Sequence, residues 1–281
     1  MPDQIVNFVA GSSGARGKFG KQYGPWAVIA GGSEGVGAAF ARKIAAHGIN
    51  LVLLARKPEP LVELSKAITV ECQVEVRAAP IDLTVADVMD RVKALTNGLE
   101  VGLFIYNAGL EGGHGPFVER PLEAATQIIR LNVLGPTALC HYFGGEMRQR
   151  GRGGIILVGS LGGCAGGANV AAYAASKAYE QILGEGLWYE LKPHGVNVLS
   201  YVIGNTNTPA IARYGTRLEE SGYFIMQPDD VAREGLDHLE DGPTWFPGDT
   251  NRAFAQALCT PDRRAATELL SAATSSVKPA K

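Results

Sequence analysis

Ala27-Val28-Ile29-Ala30-Gly31-Gly32-Ser33-Glu34-Gly35-Val36-Gly37 is the stretch that decides how this chain is read. Four apolar residues run into a glycine-rich turn, and a helical pattern extends from about Val36 to His47 before stopping at Gly48. Such a succession spells strand, turn, helix. Glycines at 31, 35 and 37 let the backbone turn sharply and approach a bound group closely. The free N–H groups and positive dipole of the following helix N-terminus suit that turn, with Ser33, Glu34 and Val36 in it, to a pyrophosphate. Two other readings of the same residues stay open: a packing turn between strand and helix, and a nucleophile elbow, Gly31-x-Ser33-x-Gly35.

Outward from this turn the alternation continues. Asn50 to Ala55 is a continuous apolar run, as expected of a strand buried on both faces, and Glu59 to Thr69 reads as a helix. Further strands are predicted over Val74 to Ala78, Val101 to Tyr106, Gly154 to Gly159 and Asn197 to Ile203, with helices over Ala86 to Leu95, Glu123 to Gln149 and Tyr173 to Leu191. The pattern predicts an α/β fold, a Rossmann-type doubly wound parallel sheet with helices on both faces. A single domain spans about 25–270, behind a polar leader over 1–24. Residues 204–227 have apolar and aromatic side chains without clear periodicity, including Ile211, Tyr214, Tyr223, Phe224, Ile225 and Met226, and read as a lid over a site. A helix over Pro228 to Leu239, a last strand over Thr244 to Phe246 and a flexible tail over 271–281 complete the chain.

Composition narrows the function. In 281 residues, 26 Lys and Arg against 28 Asp and Glu give a net charge of −2, so no basic excess exists to hold nucleic acid. A hydrophobic share of 46% supplies a core, and the 36 glycines show no repeat, which points to tight turns near a ligand. Cys72, Cys140, Cys164 and Cys259 form no CxxC pair and the histidines no HxxxH pair, so neither metal nor disulfide is expected. Nothing at the N-terminus reads as a secretory signal, which makes a cytoplasmic address the default. The uncharged stretch Gly153 to Ser176 is too rich in glycine to predict a membrane span.

Chemistry is carried by Tyr173-Ala174-Ala175-Ser176-Lys177. On a helix, residues four apart share a face, and an ammonium there favours the phenolate, turning the tyrosine into a usable proton donor and acceptor. Ser160 ends an apolar strand, and in a parallel sheet ligands gather at the carboxyl ends of strands, so its hydroxyl can face the same cleft.

With these residues in place the sequence resembles the short-chain dehydrogenase/reductase family of the classical type, over roughly Trp26 to Pro209. Gly31, Gly35 and Gly37 match its glycine turn, with Ala30 where the family has Thr. Asp82, with Leu83 beside it, matches the acidic position near the adenine. Asn107-Ala108-Gly109 matches the NAG motif, and Asn132, Ser160, Tyr173 and Lys177 match the active tetrad. Gly204, Thr206 and Thr208 stand in the family's PGxVxT run, whose proline is replaced here by Ile203. The resemblance implies hydride exchange between a nicotinamide cofactor and a ketone or secondary alcohol. Tyr173 would be the general acid/base, Ser160 would hold the oxygen, Lys177 would bind ribose and tune Tyr173, and Asn132 would hold a water. It also implies a homodimer or homotetramer, for which the small residues Ala174, Ala175 and Ala178 suit close helix packing.

The second strand ends in Arg56-Lys57, without the acid that would bind a ribose 2′-hydroxyl, so NADP(H) is expected over NAD(H), with Arg56 on the 2′-phosphate. Glu34 opposes that preference by charge. The lid motivates a small-molecule substrate with an apolar body. Glu111 and His114 either touch it or are surface groups, and Cys164 either lines the pocket or fills space. Two other functions are kept: a non-catalytic dinucleotide-binding redox sensor, and a serine hydrolase using Ser33 with Asp229 or Asp230 and His238.

Overall fold

The computed structural model describes residues 5–9, 17–213 and 224–275. The alternation becomes one eight-stranded sheet. Its strands are β1 (Val6–Phe8), β2 (Trp26–Ala30), β3 (Asn50–Ala55), β4 (Val76–Pro80), β5 (Val101–Tyr106), β6 (Gly153–Ser160), β7 (Val196–Ile203) and β8 (Thr244–Trp245). Their spatial order is β1-β4-β3-β2-β5-β6-β7-β8, and every neighbouring pair is parallel except β1 with β4. The chain winds outward from β2 to β4 and then returns to lay β5 on the other side of β2. That reversal opens a crevice at the carboxyl ends of β2 and β5, where ligands of such sheets bind.

The helices are α1 (Gly17–Tyr23), α2 (Gly35–Ala46), α3 (Pro58–Cys72), α4 (Val88–Thr96), α5 (Leu122–Ile129), α6 (Gly135–Arg150), α7 (Ala171–Leu191), α8 (Pro209–Arg213), α9 (Pro228–Asp237), α10 (Asp249–Leu258) and α11 (Arg263–Ser275). Because strand side chains alternate, β2 feeds two cores. Ala27 and Ile29 pack with Phe40 and Ile44 of α2, Leu61 of α3 and Val231 of α9. Val28 and Ala30 pack with Val92 of α4, Phe143 and Met147 of α6 and Leu191 of α7. A third, smaller cluster joins Leu161 and Val202 to Leu258 of α10 and Leu270 of α11. Among the described residues no helix is long and apolar enough to cross a membrane.

Four segments differ from expectation. The leader contains β1, which extends the sheet edge antiparallel to β4, and α1, whose Tyr23 is buried and accepts a hydrogen bond from Asn197 Nδ2 at 2.7 Å. Its apolar residues are too few for periodicity to reveal either element. The single helix expected over Glu123 to Gln149 is interrupted by a π-helical turn, Arg130–Leu134, between α5 and α6. Pro136 supplies the reason: it has no N–H to give the Asn132 carbonyl, so the α-helical ladder cannot run through. In the expected lid, α8 forms and Thr206 bridges to Met226, while Tyr214 and Tyr223 lie outside the described residues. Helix α11 runs to Ser275, into the segment expected to be a tail, whose last residues, 276–281, are likewise outside.

Candidate active site

The glycine turn is held by backbone on every side. Gly31 N and Gly32 N donate to the Leu54 carbonyl at 2.8 and 3.2 Å, and Asn107 Nδ2 donates to the Gly31 carbonyl at 2.9 Å. Gly31 has φ of +80°, and a Cβ there would stand 2.7 Å from the Ala108 nitrogen. A Cβ on Gly37 would run into the Gly31 carbonyl oxygen and stand 2.8 Å from Asn107 Nδ2. Such close approach is what excludes any side chain.

From this turn a cavity of about 820 Å³ extends across the sheet end. Gly31, Ser33, Glu34, Gly35 and Val36 line one end, with Arg56 and Leu83. Arg56 is exposed and makes no hydrogen bond to any described residue, leaving its guanidinium available. Asn107, Ala108 and Gly109 line the middle, and Gly204, Thr206 and Thr208 close it from β7. Three residues predicted for the site stand behind this wall. Gly37 packs the turn, and Asn132 is fully buried. Asp82 Oδ1 accepts from Thr84 N and Oγ1 at 2.9 and 2.7 Å, which fixes the turn between the lining residues Ile81 and Leu83.

Ser160, Tyr173 and Lys177 all open onto the cavity. Ser160 ends β6, where its Oγ accepts from Gly162 N at 3.1 Å. A Cβ on Gly162 would be 3.2 Å from Tyr173 Cε1 and 3.4 Å from Ser160 Oγ, so the bare glycine lets the phenol and the hydroxyl share one wall. Lys177, one turn after Tyr173 on α7, is 5% exposed; its Nζ donates to the Val158 carbonyl at 3.1 Å and to Glu180 Oε2 at 2.8 Å. The Asn132 side chain donates to Leu110 O at 2.9 Å and Ser176 Oγ at 3.0 Å and accepts from Leu110 N at 2.9 Å. It thereby ties the π turn to α7 and to the loop after Gly109. These links go beyond the water that the family resemblance implies for Asn132.

The far end of the cavity was largely invisible in the sequence. Phe254 of α10 and Leu270 and Thr274 of α11 line it together with Leu161, Ile211 and Phe224. The amphipathic spacing of these two helices was the available signal, but no motif marks them. Glu111 and His114 both line the cavity, with His114 Nε2 3.1 Å from Glu111 Oε1, and burial raises the Glu111 carboxyl above the usual range. Cys164 is buried in the small third core. A side cavity of about 270 Å³ meets the main one at Glu111, Val170 and Tyr173. The hydrolase arrangement does not assemble: His238 stacks on Trp245 at 3.6 Å between ring centres and pairs with Asp241 at 2.7 Å, away from the cavity wall that holds Ser33.

A doubly wound sheet, a glycine turn at its reversal and a Ser, Tyr and Lys on the adjoining wall define the class of nicotinamide-dependent oxidoreductases. The family model for short chain dehydrogenases matches residues 25–218, and the chain belongs to the short-chain dehydrogenase/reductase family. It is thus an enzyme that interconverts hydroxyl and keto groups. Among relatives, it is 33% identical over 234 residues to a 7β-hydroxysteroid dehydrogenase from Clostridium sardiniense, covering 83% of this chain and 89% of that one. Among solved structures, a 7β-hydroxysteroid dehydrogenase studied for its stereoselectivity superposes with a TM-score of 0.83 at 26% identity, over 89% of this chain and 98% of the other. A short-chain dehydrogenase from Sphingobium yanoikuyae in complex with NADPH gives 0.75 at 31% identity, over 83% and 92%.

Proposed function

We propose that the protein transfers a hydride between NADP(H) and a bulky, apolar ketone or secondary alcohol of steroid size, with Tyr173 as general acid/base. The observation that carries this reading is the shared wall of Ser160 and Tyr173 in a cavity whose far end is lined by Phe224, Phe254 and Leu270. The 7β-hydroxysteroid dehydrogenase relative supports the size and chemistry of the substrate.

The residues present fit a dinucleotide. The Gly31 and Gly37 close approaches leave room for no side chain, α2 starts at the turn, and Arg56 has a free guanidinium at the rim. Gly35 and Val36 would hold the pyrophosphate and Arg56 the 2′-phosphate; the planar, permanently charged fork suits a phosphate. When bound, the nicotinamide supplies or accepts the hydride. Ser160 Oγ–H donates to the substrate oxygen. Tyr173 gives its phenolic proton to that oxygen in reduction and takes it back in oxidation. Lys177 favours the phenolate by its charge, and its remaining N–H faces the cavity for a ribose hydroxyl.

Two measurements test this. Fluorescence titration is expected to show tighter binding of NADPH than NADH, and tighter NADH binding would reverse the cofactor assignment. Tyr173→Phe is expected to bind NADPH normally and to lose turnover; equal turnover would overturn Tyr173 as the general acid/base.

Self-association is proposed through α5 and α7, which expose Leu122, Ile129, Ile182 and Tyr189 to solvent. A dimer or tetramer in sedimentation supports this, and a monomer at micromolar concentration rejects it.

A further inference from the structure

Glu180 sits one turn beyond Lys177 on α7, is 1% exposed, and has no part in the chemistry above. Its Oε2 takes a hydrogen bond from Lys177 Nζ at 2.8 Å, while its Oε1 is buried with no hydrogen-bond partner among the described residues. A buried carboxylate so incompletely satisfied is a poor device for stability, since packed apolar groups of similar size commonly do as well or better in place of a buried ion pair. The pair therefore invites a reading in terms of Lys177.

The groups around Glu180 come from three elements besides its own. The Tyr106 phenol faces it from β5 and the Cys140 thiol from α6, both held protonated by burial and by the Glu180 charge. From β6 the Val158 carbonyl shares Lys177 Nζ with it. Lys177 is the cation among the described residues that acts on Glu180. Burial pushes the Glu180 carboxyl up to about 7, against the pull of Lys177. Two of the three ammonium N–H groups are thus directed into the protein, which leaves one for the cavity.

We propose that Glu180 is a positioning residue that clamps the Lys177 ammonium and, by its own charge, sets how strongly Lys177 favours the phenolate of Tyr173. With Glu180 ionised, the carboxylate and ammonium act on Tyr173 as a compact dipole. With Glu180 protonated or replaced by a neutral group, the full positive charge acts on it. The inference rests on the proposed proton-transfer role of Tyr173.

The test is a tyrosinate ultraviolet titration of cofactor-free protein, each form differenced against its Tyr173→Phe counterpart, paired with the pH profile of alcohol oxidation. Glu180→Gln is expected to lower the Tyr173 midpoint by about one pH unit, about tenfold more phenolate at a given pH, and to shift the rising limb of the profile equally. A purely structural role would lower kcat at every pH without moving the midpoint. Should Glu180→Gln not fold, Glu180→Asp, which holds its charge farther from Lys177, is expected to shift the midpoint in the same sense by less. An unmoved midpoint in the folded variant overturns the proposal. A Tyr173→Phe enzyme as active as the parent would instead remove the proton-transfer reading beneath it, and the two failures are read from different proteins.

Discussion

At the cavity floor, Gly31, Gly37 and Asn107 are fixed by backbone contacts from β2, β3 and β5. At the roof, exposed Phe224, half-buried Phe254 and buried Leu270 reach the same space from separate elements, and of these Phe254 and Leu270 meet in the small third core. At the floor the tolerance is set by atoms that cannot move independently, since they lie directly after strand ends or at the start of α2. At the roof it is set by side chains whose packing can adjust. The difference teaches where this protein accepts change: the roof can adjust while the turn at the floor stays fixed, so under the proposed function substrate preference would drift more readily than cofactor geometry.

Breaking the floor should have the largest effect. Gly37→Ala forces the turn away from the Gly31 carbonyl and Asn107, and is expected to abolish NADPH binding in fluorescence titration and to lower the melting temperature. Next, Tyr173→Phe is expected to cut turnover by about 10²- to 10⁴-fold while NADPH affinity stays within twofold of about the parent value, measured by steady-state kinetics and titration. Arg56→Asp sharpens the comparison at the rim: the NADPH-to-NADH preference should fall by roughly 10- to 100-fold, the worth of one charge-assisted contact. Softening the roof with Phe254→Ala should raise KM for a bulky apolar ketone by about three- to tenfold, as expected for lost apolar contact, with NADPH binding unchanged.

Burial at Glu180, between floor and roof, also shapes stability against pH. Glu180 binds its proton more tightly folded, near 7, than unfolded, near the usual 4.5. Between those values the native chain holds a proton that the unfolded chain has released, so stability falls as pH rises through this window and then levels off. Glu180→Gln should flatten that fall, on the order of 2 kcal/mol between pH 5 and 8 by chemical denaturation, and a parent curve already flat there would exclude the raised value.

Much of the sheet was legible because a strand buried on both faces must be continuously apolar, and β3 and β5 fall where their apolar runs do. The glycine turn was legible because its chemistry needs glycine at fixed spacing, and Ser160, Tyr173 and Lys177 because one strand end and one helical turn suffice to bring them together. Other features were not. The edge strand β1 has only three residues, too few for a period to show. The break at Arg130–Leu134 hid inside a strong helical pattern, although Pro136 marked it. Asp82 carried the expected chemistry but turned its carboxylate to Thr84 rather than toward the cavity.

By itself the sequence determined the winding of the sheet, the position of the turn and the meeting of Ser160, Tyr173 and Lys177 on one wall, because each depends on local spacing along one or two elements. Only the tertiary structure decided that the Lys177–Glu180 pair is buried, that Glu111 and His114 line the cavity, and that α10 and α11 close it. The paired charges lie three residues apart, but the burial around them comes from segments far apart in the chain, and that burial sets what a carboxylate or an ammonium can do.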